Sequence, residues 1–230
     1  MIKQHIPNAL TSLNLASGMA GILFVLDGQL DYSAYLIFLA ALFDFLDGFV
    51  ARILKVSSEI GKQLDSLADM VTFGVLPAFI LFSLIESNSD NTYLPYTAFL
   101  IGIFSALRLA KFNIDLRQSE RFIGVPTPAN ALFISTLPFL SEKSPFFGNL
   151  LSNPTVLVAI GLIMSYLLIA ELPLVALKFK DFSFSKNIFR YLVVASALIS
   201  LILFGIAGIP FAIILYIALS ITEALITRNA

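Results

Sequence analysis

The sequence predicts an all-α bundle of about eight transmembrane helices, on three observations. Hydrophobic residues make up 58% of the 230-residue chain and charged residues only 13%, about half the share usual in a soluble domain. The apolar residues gather into runs that approach the roughly 20 residues needed to cross a bilayer core. Lysine and arginine are segregated along the chain rather than scattered through it. In hydrocarbon every backbone amide needs an internal partner, so such runs are expected to be helices.

Taken in order, the runs cover residues 10–26, 33–54, 62–85, 94–112, 126–140, 154–177, 189–207 and 209–227. The opening MIKQHIPNAL is too polar and too interrupted by proline for a cleaved signal peptide. A short polar loop joins the second and third runs, which makes them antiparallel neighbours. The third and fourth are parted by ESNSDNTY, which holds no basic residue. The fifth run is short and proline-rich (PTPANALFISTLPFL), and the Ala-Gly-Ile-Pro joint near 207–210 is very tight. Seven spans, or one re-entrant segment, therefore stay open beside eight. With no soluble insert, low-complexity tail or internal repeat, residues 1–230 read as one transmembrane domain.

Charge orients the bundle. With both termini cytoplasmic, the inner segments and helix ends carry every lysine and arginine except Lys143, 13 of the 14. Such an excess is the positive-inside signature, and it favours an even number of spans. The formal net charge of −1 and the absence of cysteine are less informative. The second removes disulfides, thiolate ligands and a thiol nucleophile. Neither composition nor motifs point to a nucleic-acid partner.

Against this background four aspartates stand out. Asp44 and Asp47 are spaced i, i+3 at the end of the second run, and Asp65 and Asp69 are spaced i, i+4 in the third. Each pair shares one helix face, and the short loop brings the two faces together. An ionised Asp toward the bilayer costs roughly 2.5–3.5 kcal/mol on insertion scales, and four like charges repel one another. Hard divalent cations held by carboxylate oxygens resolve both costs. The plainer reading pairs the aspartates with Arg52, Lys55 and Lys62 at the interface. A proton relay or cation transporter is a further alternative, since buried carboxylates mark those pathways too. Spacing alone does not separate metal catalysis from ion transport. Gly48, Ala51 and Gly61 lie around the aspartates. They leave room for a planar base or phosphate beside the backbone, or else serve close helix packing.

The full pattern is Asp44-x2-Asp47-Gly48-x2-Ala51-Arg52-x8-Gly61-x3-Asp65-x3-Asp69. It resembles, without departure, the signature of the CDP-alcohol phosphotransferase family. At ordinary residue usage such a match arises by chance on the order of once in a billion start positions. The flanking IPNALTSLNLASGMAGI, SLADMVTFGVLPA, ALRLAKFNI and RFIGVPTPANA are similar to the membrane-embedded phosphatidylserine synthase branch. The resemblance covers about the first 135 residues, and the rest is generic hydrophobic helix.

The resemblance implies displacement of CMP from a CDP-activated lipid, diacyl or archaeal ether, by the hydroxyl of L-serine. It implies two divalent cations, Mg or Mn, held by Asp44, Asp47, Asp65 and Asp69, with Asp69 also the general base. Gly48, Ala51 and Gly61 would admit the cytidine, Arg52 would meet phosphate, and Asn8 and Thr11 would touch the nucleotide. Direct attack on phosphorus is favoured, since no cysteine is present and each signature Asp is assigned to metal.

A zwitterionic acceptor needs a cation for its carboxylate. In the segment 108–130, Arg108, Lys111 and Arg121 are expected to form that wall, with Asn130 beside them. A basic loop that only sets topology explains the same charges. Gly124-Val125-Pro126-Thr127-Pro128 is either a stiff turn aiming carbonyls at the ammonium or a plain turn into a helix. Acceptors such as glycerol 3-phosphate or inositol phosphate remain open, and so does a cation transporter, although no pair of broken helices supports the latter. The family also implies a homodimer among membrane lipids. Ser17, Gly18 and Gly21 suggest close packing of the first helix.

Overall fold

A computed structural model describes residues 2–114, 122–175, 183–184 and 187–228, and only the backbone of 2–4, 122, 123, 227 and 228. Helices α1 (Ile2–Leu26) and α2 (Leu30–Leu54) form an antiparallel hairpin turned at Gly28. Ser33 Oγ ties its two arms by donating to Gly21 O at 3.0 Å. At the far end of α2, Lys55 adopts φ 52, while its N–H donates to Arg52 O and that of Val56 to Ala51 O. This double bond pattern closes a helix C-terminus, with lysine where glycine is commoner. Three residues later Ser58 caps α3 (Glu59–Asp69) by accepting from Gly61 N at 3.0 Å. The chain thus leaves one helix and starts the next within four residues, which holds the two aspartate pairs close.

Helix α3 continues without a break through a π segment, Met70–Val75, into α4 (Leu76–Glu86). Pro77 explains the π turn. Its ring lacks an N–H and crowds the carbonyl one turn back, and the wider π turn accommodates both demands. The rod Glu59–Glu86 is the centre of the bundle, with 61% of its apolar window buried against 22–33% for the other candidate spans. Phe73, Leu76, Ile80, Leu81 and Ile85 are wholly enclosed. Helix α1 approaches this rod through glycine. A Cβ on Gly18 would collide with Thr72, and one on Gly21 with Leu76. The first-helix packing expected from Gly18 and Gly21 is therefore found.

A 3₁₀ turn, Leu94–Ala98, leads into α5 (Phe99–Ile114), where Phe79, Phe82, Tyr96 and Phe99 make an aromatic cluster. The two-residue strands β1 (Phe122–Ile123) and β2 (Pro173–Leu174) pair antiparallel, a small exception to the all-α expectation. Between them run α6 (Thr127–Ser135), α7 (Leu137–Lys143), α8 (Pro145–Leu151) and α9 (Pro154–Ile169), and beyond them α10 (Ile188–Phe204) and α11 (Ile209–Arg228). Large side chains such as Leu23 and Ile202 stay 64% and 80% exposed, as hydrocarbon-facing residues do.

The expected eight spans are not established by helix length. Among the described residues five segments are long and apolar enough to cross a membrane, and six if α8 and α9, bent by 76°, count as one. Two physical causes separate the counts. The fifth run breaks at Thr136, whose hydroxyl donates to Leu132 O at 2.7 Å just before Pro138, leaving α6 and α7 as short pieces. The sixth ends as helix at Ile169 rather than at 177, because the chain turns extended into β2. Conversely, residues 188–226 count as one segment, yet α10 and α11 lie side by side. They fold back at Gly205–Gly208, where Gly205 has φ 62 and Gly208 sits too near Ser200 O to admit a Cβ.

Candidate active site

The second and third helices deliver the acidic residues as their spacing requires. Carboxylate oxygens of Asp44, Asp47 and Asp65 all lie within 4.8 Å of one another. Asp69, one turn beyond Asp65, falls outside that set. Its Oδ1 accepts instead from Asn14 Nδ2 at 3.1 Å. Thr11 Oγ1 donates to Asp47 Oδ2 at 2.7 Å and orients that carboxylate. Among the described residues no lysine or arginine forms an ion pair with the four aspartates, so the interface-pairing alternative is not realised there. Lys62 Nζ instead donates to Asn113 O at 3.2 Å.

A cavity of about 270 Å³ opens beside this cluster. Asn8, Thr11, Gly48, Ala51 and Gly61 all line it, together with Asp47 and Asp65. A Cβ on Gly61 would come within 3.0 Å of Asn8 Oδ1 and 2.9 Å of Ser58 Oγ, so only glycine keeps both neighbours in their positions. Arg52 is not part of this wall. Its guanidinium lies over Gly48, with Nη1 3.9 Å from where a Cβ would stand. Ser57, Ser58 and Lys62 also border the cavity. Sequence reasoning passed over Ser58, and also Asn14, which sits at i+3 from Thr11 on the first helix. That polar stripe of 8, 11 and 14 was the available signal.

Of the residues expected to form the acceptor wall, Arg108, Lys111 and Asn130 are among those described. Arg108 is buried, its Nε has no hydrogen-bond partner, and its charge acts on Asp69 and Tyr216. Lys111 Nζ pairs with Glu171 Oε1 at 3.6 Å. A pair this exposed contributes little to stability. Asn130 is wholly enclosed, with both amide atoms lacking partners. Arg121 lies outside the described residues. The Gly124-Val125 turn is bound to the end of α9 and to the residues just beyond it, through Val125 N to Leu167 O at 2.9 Å and Gly124 N to Leu172 O at 3.0 Å. These bonds account for the turn as a structural staple. Tyr216, on the generic final helix, was not foreseen. Its hydroxyl donates to Val175 O at 3.1 Å.

The aspartate cluster, its loop and the cavity all lie within residues 4–177, which match the family described as CDP-alcohol phosphatidyltransferase. The chain belongs to that family. Among curated CDP-alcohol phosphatidyltransferases and their kin, it is similar to the CDP-diacylglycerol–serine O-phosphatidyltransferase of Helicobacter pylori strain J99. The two are 36% identical over 146 residues, 62% of this chain and 61% of the relative. The archaetidylserine synthase of Methanothermobacter thermautotrophicus is 38% identical over 150 residues, 62% of each chain. A CDP-diacylglycerol–serine O-phosphatidyltransferase of Methanocaldococcus jannaschii is 36% identical over 159 residues, 69% of this chain and 70% of the relative. The chain thus spans about three fifths of the length of the first two.

The donor set suits the divalent metal that this family implies. Three carboxylates converge with no ion-pair partner among the described residues, and Asp65 Oδ1 is buried with no hydrogen-bond partner. A buried acceptor left bare costs roughly 1–3 kcal/mol or more when charged. An all-oxygen, anionic set of this kind fits a hard cation.

Proposed function

We propose that this chain transfers the phosphatidyl group, or its archaeal ether-lipid counterpart, from a CDP-activated lipid to the hydroxyl of L-serine, releasing CMP. The observation that carries this reading is the convergence of Asp44, Asp47 and Asp65 at the wall of a cavity lined by Gly48, Ala51 and Gly61. Serine as acceptor is supported by the names of the bacterial and archaeal relatives alike. Asp44, Asp47 and Asp65, bordered by Asp69, would hold two divalent cations, Mg or Mn. When bound, these ions neutralise diphosphate charge and make the leaving CMP a weaker base.

The chain's own residues do the remainder. Asn8, Thr11, Gly48, Ala51 and Gly61 bind the nucleotide, and Arg52, whose guanidinium lies over Gly48, meets phosphate. The serine oxygen forms a bond to the lipid-side phosphorus as the bond from that phosphorus to the CMP oxygen breaks. The hydroxyl proton passes to Asp69. Arg108 and Asn130 hold the serine carboxylate and amine, with Lys111 and Arg121 supplying charge at the rim. Positive-inside asymmetry supports a cytoplasmic site with both termini cytoplasmic. A homodimer is part of the same proposal.

The decisive assay supplies detergent-purified protein with Mn²⁺ or Mg²⁺, CDP-diacylglycerol and labelled serine, and measures CMP and lipid product. Release only with glycerol 3-phosphate or inositol phosphate would replace the acceptor. Cation movement in liposomes without any CMP release would make the chain a transporter. Two variants refine the assignment. Gly61→Ala crowds Asn8 and the Ser58 cap and should raise KM for the CDP-lipid about tenfold, as overpacking of 1–3 kcal/mol implies. Arg108→Met removes a charge-assisted contact and should raise KM for serine about 10- to 100-fold, leaving KM for the CDP-lipid near wild type.

A further inference from the structure

Helix α1 meets the signature through its polar stripe. Asn8 faces Gly61, Thr11 binds Asp47 and Asn14 binds Asp69. Asn8 and Thr11 line the cavity, whereas Asn14 does not. Its side chain is fully enclosed, and its Oδ1 has no partner. A buried amide left half-satisfied is a net cost, so its presence calls for a role that leucine or alanine would not fill. Its backbone is held from the same side as its amide. Thr72 Oγ1, three residues beyond Asp69, donates to Asn14 O at 3.2 Å. One turn along α1, Gly18 presses on Thr72 too closely to admit a Cβ. Asn14 and Asp69 are thus registered against each other by contacts on both helices.

We propose that Asn14 is a positioning residue for Asp69, its amide occupying Oδ1 and reserving Oδ2 for the proton of the attacking hydroxyl. This rests on the transferase reading above. A carboxylate turns freely about its last torsion, which has broad, roughly two-fold minima. A charge-assisted hydrogen bond in a dry site removes that freedom. Proton transfer needs the acceptor within hydrogen-bond reach of the hydroxyl, so the orientation of Oδ2 decides the rate. Asn14 acts only through Asp69, and neither the nucleotide nor the three-aspartate set depends on it.

A double-mutant cycle on the full-length protein tests this. Wild type, Asn14→Leu, Asp69→Asn and the double variant are compared for serine-dependent CMP release, Mn²⁺ binding by electron paramagnetic resonance, and melting without metal. Asn14→Leu is expected to lower kcat about 30- to 300-fold, with both KM values and the first Mn²⁺ Kd within about threefold of wild type, a variation too small to count as a binding defect. Added to Asp69→Asn it should lower turnover no further. Near-wild-type kcat, additive losses, or a KM or Mn²⁺ defect matching the fall in kcat would each overturn the assignment. If Asn14→Leu does not fold, Asn14→Ser is held to the same criteria. A wild type that releases CMP with no alcohol sinks the transferase reading instead. The melting cycle then decides the inference, and additive shifts for Asn14 and Asp69 overturn it.

Discussion

Asp65→Asn is expected to abolish tight Mn²⁺ binding and to lower CMP release by about a thousandfold or more, while raising the melting temperature of the metal-free protein. The first two effects follow from donor chemistry. Asp65 lies within 4.8 Å of both Asp44 and Asp47, and its Oδ1 has no other partner. A neutral amide offers a weaker oxygen, and a metal's contribution of several kcal/mol to a phosphoryl-transfer barrier corresponds to about three powers of ten. The third effect separates a metal centre from a structural ion-pair network. Without metal, three neighbouring carboxylates repel one another in a partly dry site, so removing one relieves the metal-free fold. Added Mn²⁺ should stabilise wild type by mass action and leave the variant unmoved. Calorimetric melting with and without Mn²⁺ reads both signs. A variant that melts lower than wild type in the absence of metal would mean that Asp65 holds the fold together, and the metal assignment would fail.

Much of this site was legible because it is local. The i, i+3 and i, i+4 spacings guarantee that Asp44 with Asp47, and Asp65 with Asp69, share helix faces, and a loop capped at Lys55 and Ser58 leaves the two helices no distance to separate. The cavity-lining roles of Gly48, Ala51 and Gly61 follow from the same hairpin. What sequence spacing could not reveal depends on helices distant in the chain. Asn14 reaches Asp69 across 55 positions, and Tyr216 enters the neighbourhood of Arg108 from the last helix. Lys111 shows the limit of helical spacing as a guide. At i+3 from Arg108 it shares roughly the same face, yet it is exposed and pairs with Glu171, whereas Arg108 is buried. Helix ends were misjudged where hydroxyl and proline chemistry outweighed hydrophobicity, as at Thr136 and Pro138. The π turn at Met70–Val75 left a sequence trace only in Pro77, which sits in an apolar run that otherwise reads as unbroken helix.

Asp69→Asn should separate binding from chemistry. Because Asp69 stands outside the three carboxylates within 4.8 Å, the variant is expected to keep its first Mn²⁺ and its KM for the CDP-lipid. Its kcat should fall by about 10²- to 10⁴-fold, the usual contribution of a positioned general base. A carboxylate near bound cations is a weak base, so the proton must leave a hydroxyl already made more acidic by metal or phosphate contact. Two features suit Asp69 to that step. Asn14 satisfies one of its oxygens, and the Arg108 guanidinium is in its electrostatic neighbourhood. On the proposed assignment the base would lie between the residues given to the nucleotide and those given to serine. The measurement is steady-state CMP release at saturating Mn²⁺, with Mn²⁺ binding followed in the same samples. Near-normal turnover would exclude Asp69 as the proton acceptor. A fall in turnover that tracks loss of all bound Mn²⁺ would instead make it a fourth member of the metal set.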